Sequence, residues 1–316
     1  MAFERYLSDK LLEALIKLQN SGGATNWWQD VLASKDLHLG IRAGYLNVYA
    51  QGQSVFKVGP GVSSGPDGES KPQVELHYKY LLKPSLPAGK EYVRFDGNGF
   101  YMGGKKLDPV NIVQTKFTPA ETVRELAAAA QPYSGPEKQG VHEIARKNPS
   151  VIDLEIAFTK ADDNGKKSAP RIDLAALHKS NGRISVRFYE AKLASDSRLW
   201  RNGKDEDRPA IIGQMKKYDD FLENNEEKIR KAYVKVCQIL VALEVPVSEL
   251  VRDVCKSPES LWVDTSMKLL VFGYDQDHLH EKSLFKKRIK FLEGDGKLAG
   301  RIFSSGRPRF NLQSLN

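Results

Sequence analysis

The spacing of apolar residues along the chain predicts helices in some stretches and strands in others. Leucines and isoleucines recur at helical spacing over 4–19, and the Ser-Gly-Gly at 21–23 ends this amphipathic helix. From about residue 37 the apolar period becomes two, and residues 91–104 contain the Asp-Gly and Asn-Gly pairs that favour a hairpin. The sequence therefore predicts a small antiparallel β unit over 30–105.

Beyond this β unit, helical and strand patterns alternate. Two helices, three apolar strands, two helices and one strand are predicted in that order, at 118–131, 136–148, 151–159, 171–178, 184–193, 208–223, 226–243 and 268–274. The Ser-Asn-Gly at 180–182 predicts a tight turn between the second and third strands. This order of elements predicts an α/β sandwich. We expect an N-terminal helix plus antiparallel β accessory domain over 1–115, and an α/β domain with a basic C-terminal tail over 116–316.

Composition favours a globular protein that keeps its cysteines reduced. Hydrophobic residues make up 41% of the 316 residues, and no apolar run approaches the roughly 20 residues of a membrane span. The N-terminal helix contains acidic residues, which distinguishes it from a secretory signal. Cys237 and Cys255 match no zinc motif. We expect a cytoplasmic protein with no membrane partner.

The net charge of +8 favours a polyanionic partner. Within 281–316, nine Lys and Arg residues stand against three acidic residues, a net charge of +6, and phenylalanines are interleaved with them. Basic residues among aromatic residues suit phosphate contact and base stacking. A C-terminal structural element with a basic outer face would show the same pattern, so the sequence leaves both interpretations open.

Three charged residues occur in the two apolar strands that flank the predicted turn. Asp173 lies in the first strand, and Glu190 and Lys192 share one face of the second, because alternate strand residues point the same way. Pairing of the strands would bring all three to one end of the sheet. Two neighbouring carboxylates repel each other, and Mg²⁺ removes this conflict. With an ammonium to hold water or balance phosphate charge, the set predicts metal-assisted phosphodiester hydrolysis.

Pro170-Arg-Ile-Asp173, followed by Glu190-Ala191-Lys192, resembles the motif of the PD-(D/E)xK nuclease superfamily. The resemblance implies that Asp173 and Glu190 bind the metal, with help from the carbonyl of Ala191. It also implies that Lys192 positions the nucleophilic water. The expected cofactor is Mg²⁺, with Mn²⁺ as a substitute.

The stretch Gln214-Met-Lys-Lys-Tyr218 is similar to the Q-x-x-x-Y element of the RecB-like and lambda-exonuclease-like branches of that superfamily. There, these residues support the site and contact DNA, and the resemblance implies the same roles here. It covers roughly 136–275. The expected fold is thus α/β, a restriction-endonuclease-like mixed sheet flanked by helices and preceded by a small, mainly-β N-terminal domain.

The family pattern includes a further acidic residue upstream. Glu155 lies inside an apolar strand next to the strand of Asp173, and we prefer it as this auxiliary metal-binding acid. Glu143, on the helix over 136–148, is the second choice. Asp153 we interpret as a strand-end charge.

We therefore expect a Mg²⁺-dependent deoxyribonuclease, an endonuclease rather than an exonuclease, acting in phage defence, restriction or DNA repair. RNA stays open as a substrate, because the metal chemistry is the same. The rival interpretation is a non-catalytic nucleic-acid-binding or sensing module on the same fold. The chain could form a homodimer or bind a partner protein through its N-terminal domain, where tyrosines could line a surface: Tyr45, Tyr49, Tyr78, Tyr80 and Tyr92.

Overall fold

The computed structural model describes most of the chain. The described residues are 3–21, 26–61, 71–80, 92–95, 100–108, 120–157, 160–161, 167–168, 171–200, 209–294 and 298–315. Pro170 of the nuclease-like motif and the predicted domain boundary near residue 115 lie outside them.

The described part of the chain is mixed α/β structure. It contains nine α-helices: α1 Asp9–Asn20, α2 Trp27–Ala33, α3 Glu121–Ala129, α4 Pro136–Lys147, α5 Ser197–Trp200, α6 Ala210–Asn224, α7 Glu226–Ala242, α8 Glu249–Lys256 and α9 Leu284–Glu293. The strands are β1 His38–Ile41, β2 Leu46–Ala50, β3 Gln53–Pro60, β4 Pro72–His77, β5 Tyr92–Phe95, β6 Phe100–Met102, β7 Lys105–Lys106, β8 Val151–Ala157, β9 Lys160–Ala161, β10 Lys167–Ser168, β11 Arg171–Ser180, β12 Arg183–Leu193, β13 Leu261–Val263, β14 Lys268–Phe272 and β15 Ile302–Ser305.

The chain divides into two compact units. The N-terminal unit comprises Glu4–His142 and Lys235–Val247, and the C-terminal unit comprises Met1–Phe3, Glu143–Val234 and Ser248–Asn316. Neither unit is one continuous stretch of chain. The N-terminal unit includes α3 and the first half of α4, in addition to the predicted β unit.

The N-terminal unit contains an antiparallel sheet in the strand order β1-β2-β3-β4-β5-β6-β7. One face of this sheet is apolar, and its buried residues include Val48, Phe56, Leu76 and Val93. The amphipathic helix α1 contacts β3 and β4. This arrangement follows from the sequence, because a period-two pattern gives the sheet one apolar face and a helix can cover it.

The C-terminal unit contains a mixed sheet in the order β15-β14-β12-β11-β8, with β13 paired to β12. Strands β8, β11 and β12 are antiparallel, whereas β13 and β14 pair with β12 in parallel, and β15 pairs with β14 in parallel. Strands β11 and β12 are buried along most of their length, and the buried part of β12 includes the charged residues Arg187, Glu190 and Lys192.

The predicted hairpin turn between β11 and β12 is confirmed. Ser180 pairs with Arg183, which leaves Asn181 and Gly182 as a two-residue connection. Both have positive φ, 49° for Asn181 and 77° for Gly182. Asn-Gly is the pair that tolerates this backbone best, because glycine has no Cβ and asparagine is one of the few residues found there. The turn fixes the register of the two strands that carry Asp173 and Glu190.

Residues 281–315 belong to the fold of the C-terminal unit, in the part of this segment that the structure describes. They form α9, β15 and a 3₁₀ turn at Leu312–Ser314. Phe285, Ile289 and Leu312 are buried, and Asn148 binds the carbonyl of Phe310 and the amide of Leu312 through its side chain, at 2.8 and 2.9 Å. The apolar residues of this basic segment therefore have a structural role, which is one of the two interpretations that the sequence left open.

Candidate active site

The register of β11 and β12 brings Asp173 and Glu190 side by side. Leu174 pairs with Tyr189, so the residues next to them, Asp173 and Glu190, lie across from each other on one face of the sheet. The amide of Ala191 donates a hydrogen bond of 2.8 Å to Oδ2 of Asp173. The side chain of Glu190 is 2% exposed and that of Asp173 is 17% exposed. Only the Asp173 side of the pair is open to solvent.

Lys192 places its ammonium group between the two carboxylates. Its Nζ lies 2.5 Å from Oε1 of Glu190 and 3.8 Å from Oδ2 of Asp173, and it donates a hydrogen bond of 2.7 Å to the carbonyl of Ala191. The lysine side chain is 1% exposed. A buried ammonium is costly unless it is paired, and these contacts provide the pairing. The structure thus brings together the three residues that the sequence predicted would converge.

Helix α6 supports this cluster through Gln214 and Tyr218, which lie one turn apart. The amide of Gln214 donates to Oε1 of Glu190 at 2.7 Å and to the hydroxyl of Tyr218 at 3.0 Å. The Tyr218 hydroxyl in turn donates to the carbonyl of Arg171 at 2.7 Å. Gln214 therefore orients one carboxylate directly, and Tyr218 holds the backbone two residues before the other.

The electrostatics of the cluster follow from burial and from like charge. Burial raises the pKa of Asp173 and Glu190 raises it further, to about 7, against the opposing effects of Lys192 and the Ala191 amide. Burial, with help from Glu190, also raises the pKa of Tyr218. Tyr218 is therefore a neutral phenol at neutral pH, able to donate its hydrogen bond. In the folded protein, burial and the neighbouring Glu190 therefore disfavour the charged form of Asp173.

The preferred auxiliary acid, Glu155, lies in β8 between residues that pair with the neighbours of Asp173: Ile156 pairs with Ile172 and Leu154 with Leu174. Its carboxylate forms an ion pair with Arg171, with Nη1 3.3 Å from Oε2. The φ of Glu155 is 50°, in the left-handed region that non-glycine residues rarely adopt. Register thus places Glu155 beside Asp173, but an arginine holds its carboxylate.

The second choice, Glu143 in α4, is engaged elsewhere in the C-terminal unit. Its Oε1 lies 2.6 Å from Nζ of Lys147 and 3.7 Å from Nε of Arg309. The hydrogen bond from Lys147 lowers the pKa of Glu143. These two cations account for this carboxylate without a role in the Asp173 cluster.

The residues that could hold a metal are Asp173, Glu190 and the backbone carbonyl of Ala191. Among the described residues, no three or more His, Cys, Asp or Glu side chains form a group placed to hold a metal ion. Magnesium needs only one or two protein carboxylates, since it keeps several of its waters. The donor set of two repelling carboxylates and a carbonyl therefore fits Mg²⁺ chemically, and a divalent cation would supply the positive charge that keeps Asp173 ionised.

Two acidic residues of the C-terminal unit have buried or half-buried partners that the sequence did not predict. The interpretation of Asp153 as a strand-end charge is wrong, because it is fully buried and its Oδ2 accepts a hydrogen bond of 3.2 Å from the hydroxyl of Tyr233. Asp219, next to Tyr218, accepts two hydrogen bonds of 2.8 Å from Nη2 of Arg301. The apolar neighbours of Asp153 could have revealed its burial, but no local signal links Asp219 to a residue so distant in sequence.

Comparison of the chain with protein-family models, curated proteins and solved structures found no match. In the part of the chain that the structure describes, no helix has both the length and the apolar character needed to cross a membrane. The resemblance to the PD-(D/E)xK nucleases therefore rests on the residues of the Asp173 cluster and their geometry.

Proposed function

We propose that the chain is a Mg²⁺-dependent nuclease that hydrolyses phosphodiester bonds of DNA on a restriction-endonuclease-like fold. The observation that supports this most is the convergence of Asp173, Glu190 and Lys192 on one face of the sheet. Burying two carboxylates and an ammonium in a sheet core costs free energy. Such groups are therefore expected there only where they have a chemical function or are fully paired. Restriction, phage defence and DNA repair are the settings that this resemblance implies.

Each residue of the cluster has a distinct role in this proposal. Asp173, Glu190 and the Ala191 carbonyl hold the cation, which supplies positive charge at the phosphate and a more acidic water when bound. Lys192 orients the attacking water and balances charge, because its ammonium already reaches both carboxylates. Gln214 and Tyr218 keep the two carboxylates in place through the contacts of α6.

Glu155 remains our proposed auxiliary acid, since strand register places it beside Asp173. To bind a metal beside Asp173, the Glu155 carboxylate has to break its ion pair with Arg171. DNA binding provides a reason for this ion pair to break. The Arg171 side chain is 60% exposed and can exchange a carboxylate for a backbone phosphate. We propose DNA as the substrate over RNA, and internal cleavage over digestion from ends.

One observation favours a second candidate, a nucleic-acid-binding module without cleavage. Lys192 already neutralises part of the negative charge of Asp173 and Glu190, so the cluster has an internal counter-ion in the absence of a metal. A cluster of this kind could serve only to hold β11, β12 and α6 together. The two candidates differ in whether a divalent cation changes what the protein does to DNA.

The test is cleavage of supercoiled plasmid and linear DNA with Mg²⁺, Mn²⁺ or EDTA. We expect metal-dependent nicking or linearisation that slows at least about 100-fold in Asp173→Ala and in Lys192→Ala. Matched controls are Asp220→Asn and Lys216→Gln, which remove the partners of an exposed ion pair on α6, with side chains 52% and 75% exposed. Both controls should cut as the wild type does.

Each other outcome has a definite meaning. Degradation from linear ends only would identify an exonuclease. Absence of cleavage under every metal condition, with DNA binding intact in all variants, would overturn the nuclease proposal and support the binding module.

A further inference from the structure

The sheet of the N-terminal unit has a second face, which is polar and aromatic. Lys57 pairs with Glu75 and Glu75 with Arg94, so these three form one row across β3, β4 and β5. Arg94 pairs with Tyr101 in β6, which extends the row. Pleating places the row on the face opposite to the buried residues that flank it in sequence, such as Phe56 and Leu76 in β3 and β4.

This face continues into a group of tyrosines and lysines at the end of β4. His77 pairs with Tyr92, and Lys79 and Tyr133 lie next to Tyr80. Arg94 and Tyr133 are exposed, whereas the other side chains are half-buried. We call the set the tyrosine–lysine surface, defined as Lys57, His77, Lys79, Tyr92, Arg94, Tyr101 and Tyr133. The side chain of Tyr78 lies outside the described residues.

Two lysines of this surface rest against tyrosine rings. Nζ of Lys57 is 4.2 Å from the centroid of the Tyr92 ring. Nζ of Lys79 is 4.8 Å from the ring centroids of both Tyr80 and Tyr133. Such cation–π contacts hold each ammonium at the sheet surface. Because the rings already face ammonium groups of this chain, a second cation is disfavoured there and an anionic ligand is favoured.

The charge of the surface is also positive. Lys57, Lys79 and Arg94 contribute three cations, and among the described residues of this row Glu75 contributes one carboxylate. Burial and the two lysines lower the pKa of His77, so its imidazole is neutral at neutral pH. The His77 ring packs edge-on against the rings of Tyr80 and Tyr92, with centroids 5.8 and 5.4 Å apart.

We propose that the tyrosine–lysine surface binds a single-stranded nucleic acid, with phosphates at Lys57, Lys79 and Arg94 and bases stacked on the half-buried ring of Tyr101 and the exposed ring of Tyr133. Cations spaced among rings on a sheet suit a strand whose bases are unpaired, because a duplex covers its base faces. An acidic peptide would use the cations and leave the rings without a role. This binding lies in the N-terminal unit and requires no cleavage.

The test is fluorescence anisotropy with labelled oligothymidylate in EDTA, where no metal-dependent cleavage occurs. We expect Tyr101→Ala and Arg94→Gln each to weaken binding at least about five-fold. Arg94→Gln and Lys57→Gln should each reduce the slope of log affinity against log salt by about 0.7. Tyr101→Phe keeps the ring and should bind as the wild type does, which separates the role of the ring from that of the hydroxyl group.

Two matched controls lie on other parts of the same unit. Lys10→Gln removes an exposed lysine of α1, which contacts the sheet at β3 and β4. Tyr6→Ala removes a 42% exposed tyrosine that bridges to Ala43, between β1 and β2, whereas Tyr101 lies in β6, four strands beyond β2 in the sheet order. Unchanged affinity in Tyr101→Ala, Arg94→Gln and Lys57→Gln would overturn the proposal. So would equal loss in the controls, or a preference for an acidic peptide over the oligonucleotide. Binding is measured in EDTA and is assigned to the N-terminal unit, so failure of the nuclease proposal leaves this one intact.

Discussion

The hydroxyl of Tyr218 donates a hydrogen bond of 2.7 Å to the carbonyl of Arg171, two residues before Asp173. The same hydroxyl accepts a hydrogen bond from Gln214, whose amide also binds Glu190. One face of α6 thus fixes the backbone beside one carboxylate and the side chain of the other. The distance between the two carboxylates therefore depends on how α6 packs against the sheet.

Tyr218→Phe removes this hydrogen bond while keeping the ring. Tyr218 is buried, so the carbonyl of Arg171 loses its side-chain donor away from solvent. We expect the free energy of unfolding to fall by about 1–2 kcal/mol in urea denaturation. Cleavage should slow more than DNA binding weakens, because the carboxylates lose their alignment. An unfolding free energy equal to that of the wild type would show that the bond contributes nothing.

Lys192→Met keeps the length of the side chain and removes its charge. The carboxylates of Asp173 and Glu190 then lose the ammonium that lies between them, which should lower the unfolding free energy in EDTA by about 3–5 kcal/mol. Mg²⁺ should raise the melting temperature of this variant more than that of the wild type, since the cation replaces the lost charge. Equal shifts in melting temperature for both proteins would contradict a shared metal site.

The pH dependence of stability tests the repulsion between the two carboxylates. The pKa of Asp173 rises from 3.8 to about 7 on folding, so the folded state binds more protons than the unfolded state between these values. The contribution of Asp173 to stability therefore falls as pH rises through this window. In EDTA at pH 8, Asp173→Asn should be more stable than the wild type by about 2 kcal/mol.

The difference between Asp173→Asn and the wild type should shrink towards pH 4, where the wild-type carboxyl is protonated in the folded state. Urea denaturation at both pH values measures it. A wild type that is more stable than Asp173→Asn at pH 8 without metal would show that Lys192 outweighs the repulsion from Glu190.

The backbone conformation of Glu155 leads to a prediction about stability that does not depend on the proposed nuclease activity. Its φ of 50° is costly for any residue with a Cβ. Glu155→Gly and Glu155→Ala both remove the ion pair with Arg171, so their difference isolates the backbone term. We expect Glu155→Gly to be more stable than Glu155→Ala by about 1 kcal/mol in urea denaturation. The reverse order would argue against the left-handed conformation in solution.

Much of the site could be predicted from sequence because its residues lie in one hairpin and one helix. Asn181-Gly182 sets the turn, the turn sets the register, and the register places Asp173 opposite Glu190. The spacing of Gln214 and Tyr218 is likewise local, since residues four apart share a helix face. In each case the geometry depends on neighbours along the chain.

Other features depend on contacts between distant segments and were not predicted. The bidentate contact between Asp219 and Arg301 joins residues 82 positions apart, and the side chain of Asn148 binds residues more than 160 positions away. The positive φ of Glu155 could not be predicted, because no glycine marks this position in the sequence. Strand β15 pairs in parallel with β14, and such pairing leaves no turn signal in the sequence.

Whether Asp173 and Glu190 share one divalent cation is tested most directly by titrating the DNA-free protein with Mn²⁺ and measuring free Mn²⁺ by electron paramagnetic resonance. Mn²⁺ takes the same carboxylate and carbonyl ligands as Mg²⁺ and is visible to this method. We predict saturable binding to the wild type and to the control Asp220→Asn, and its loss in the double variant Asp173→Asn, Glu190→Gln. Binding that is unchanged in the double variant, or absent from the wild type, would contradict a metal site at these carboxylates.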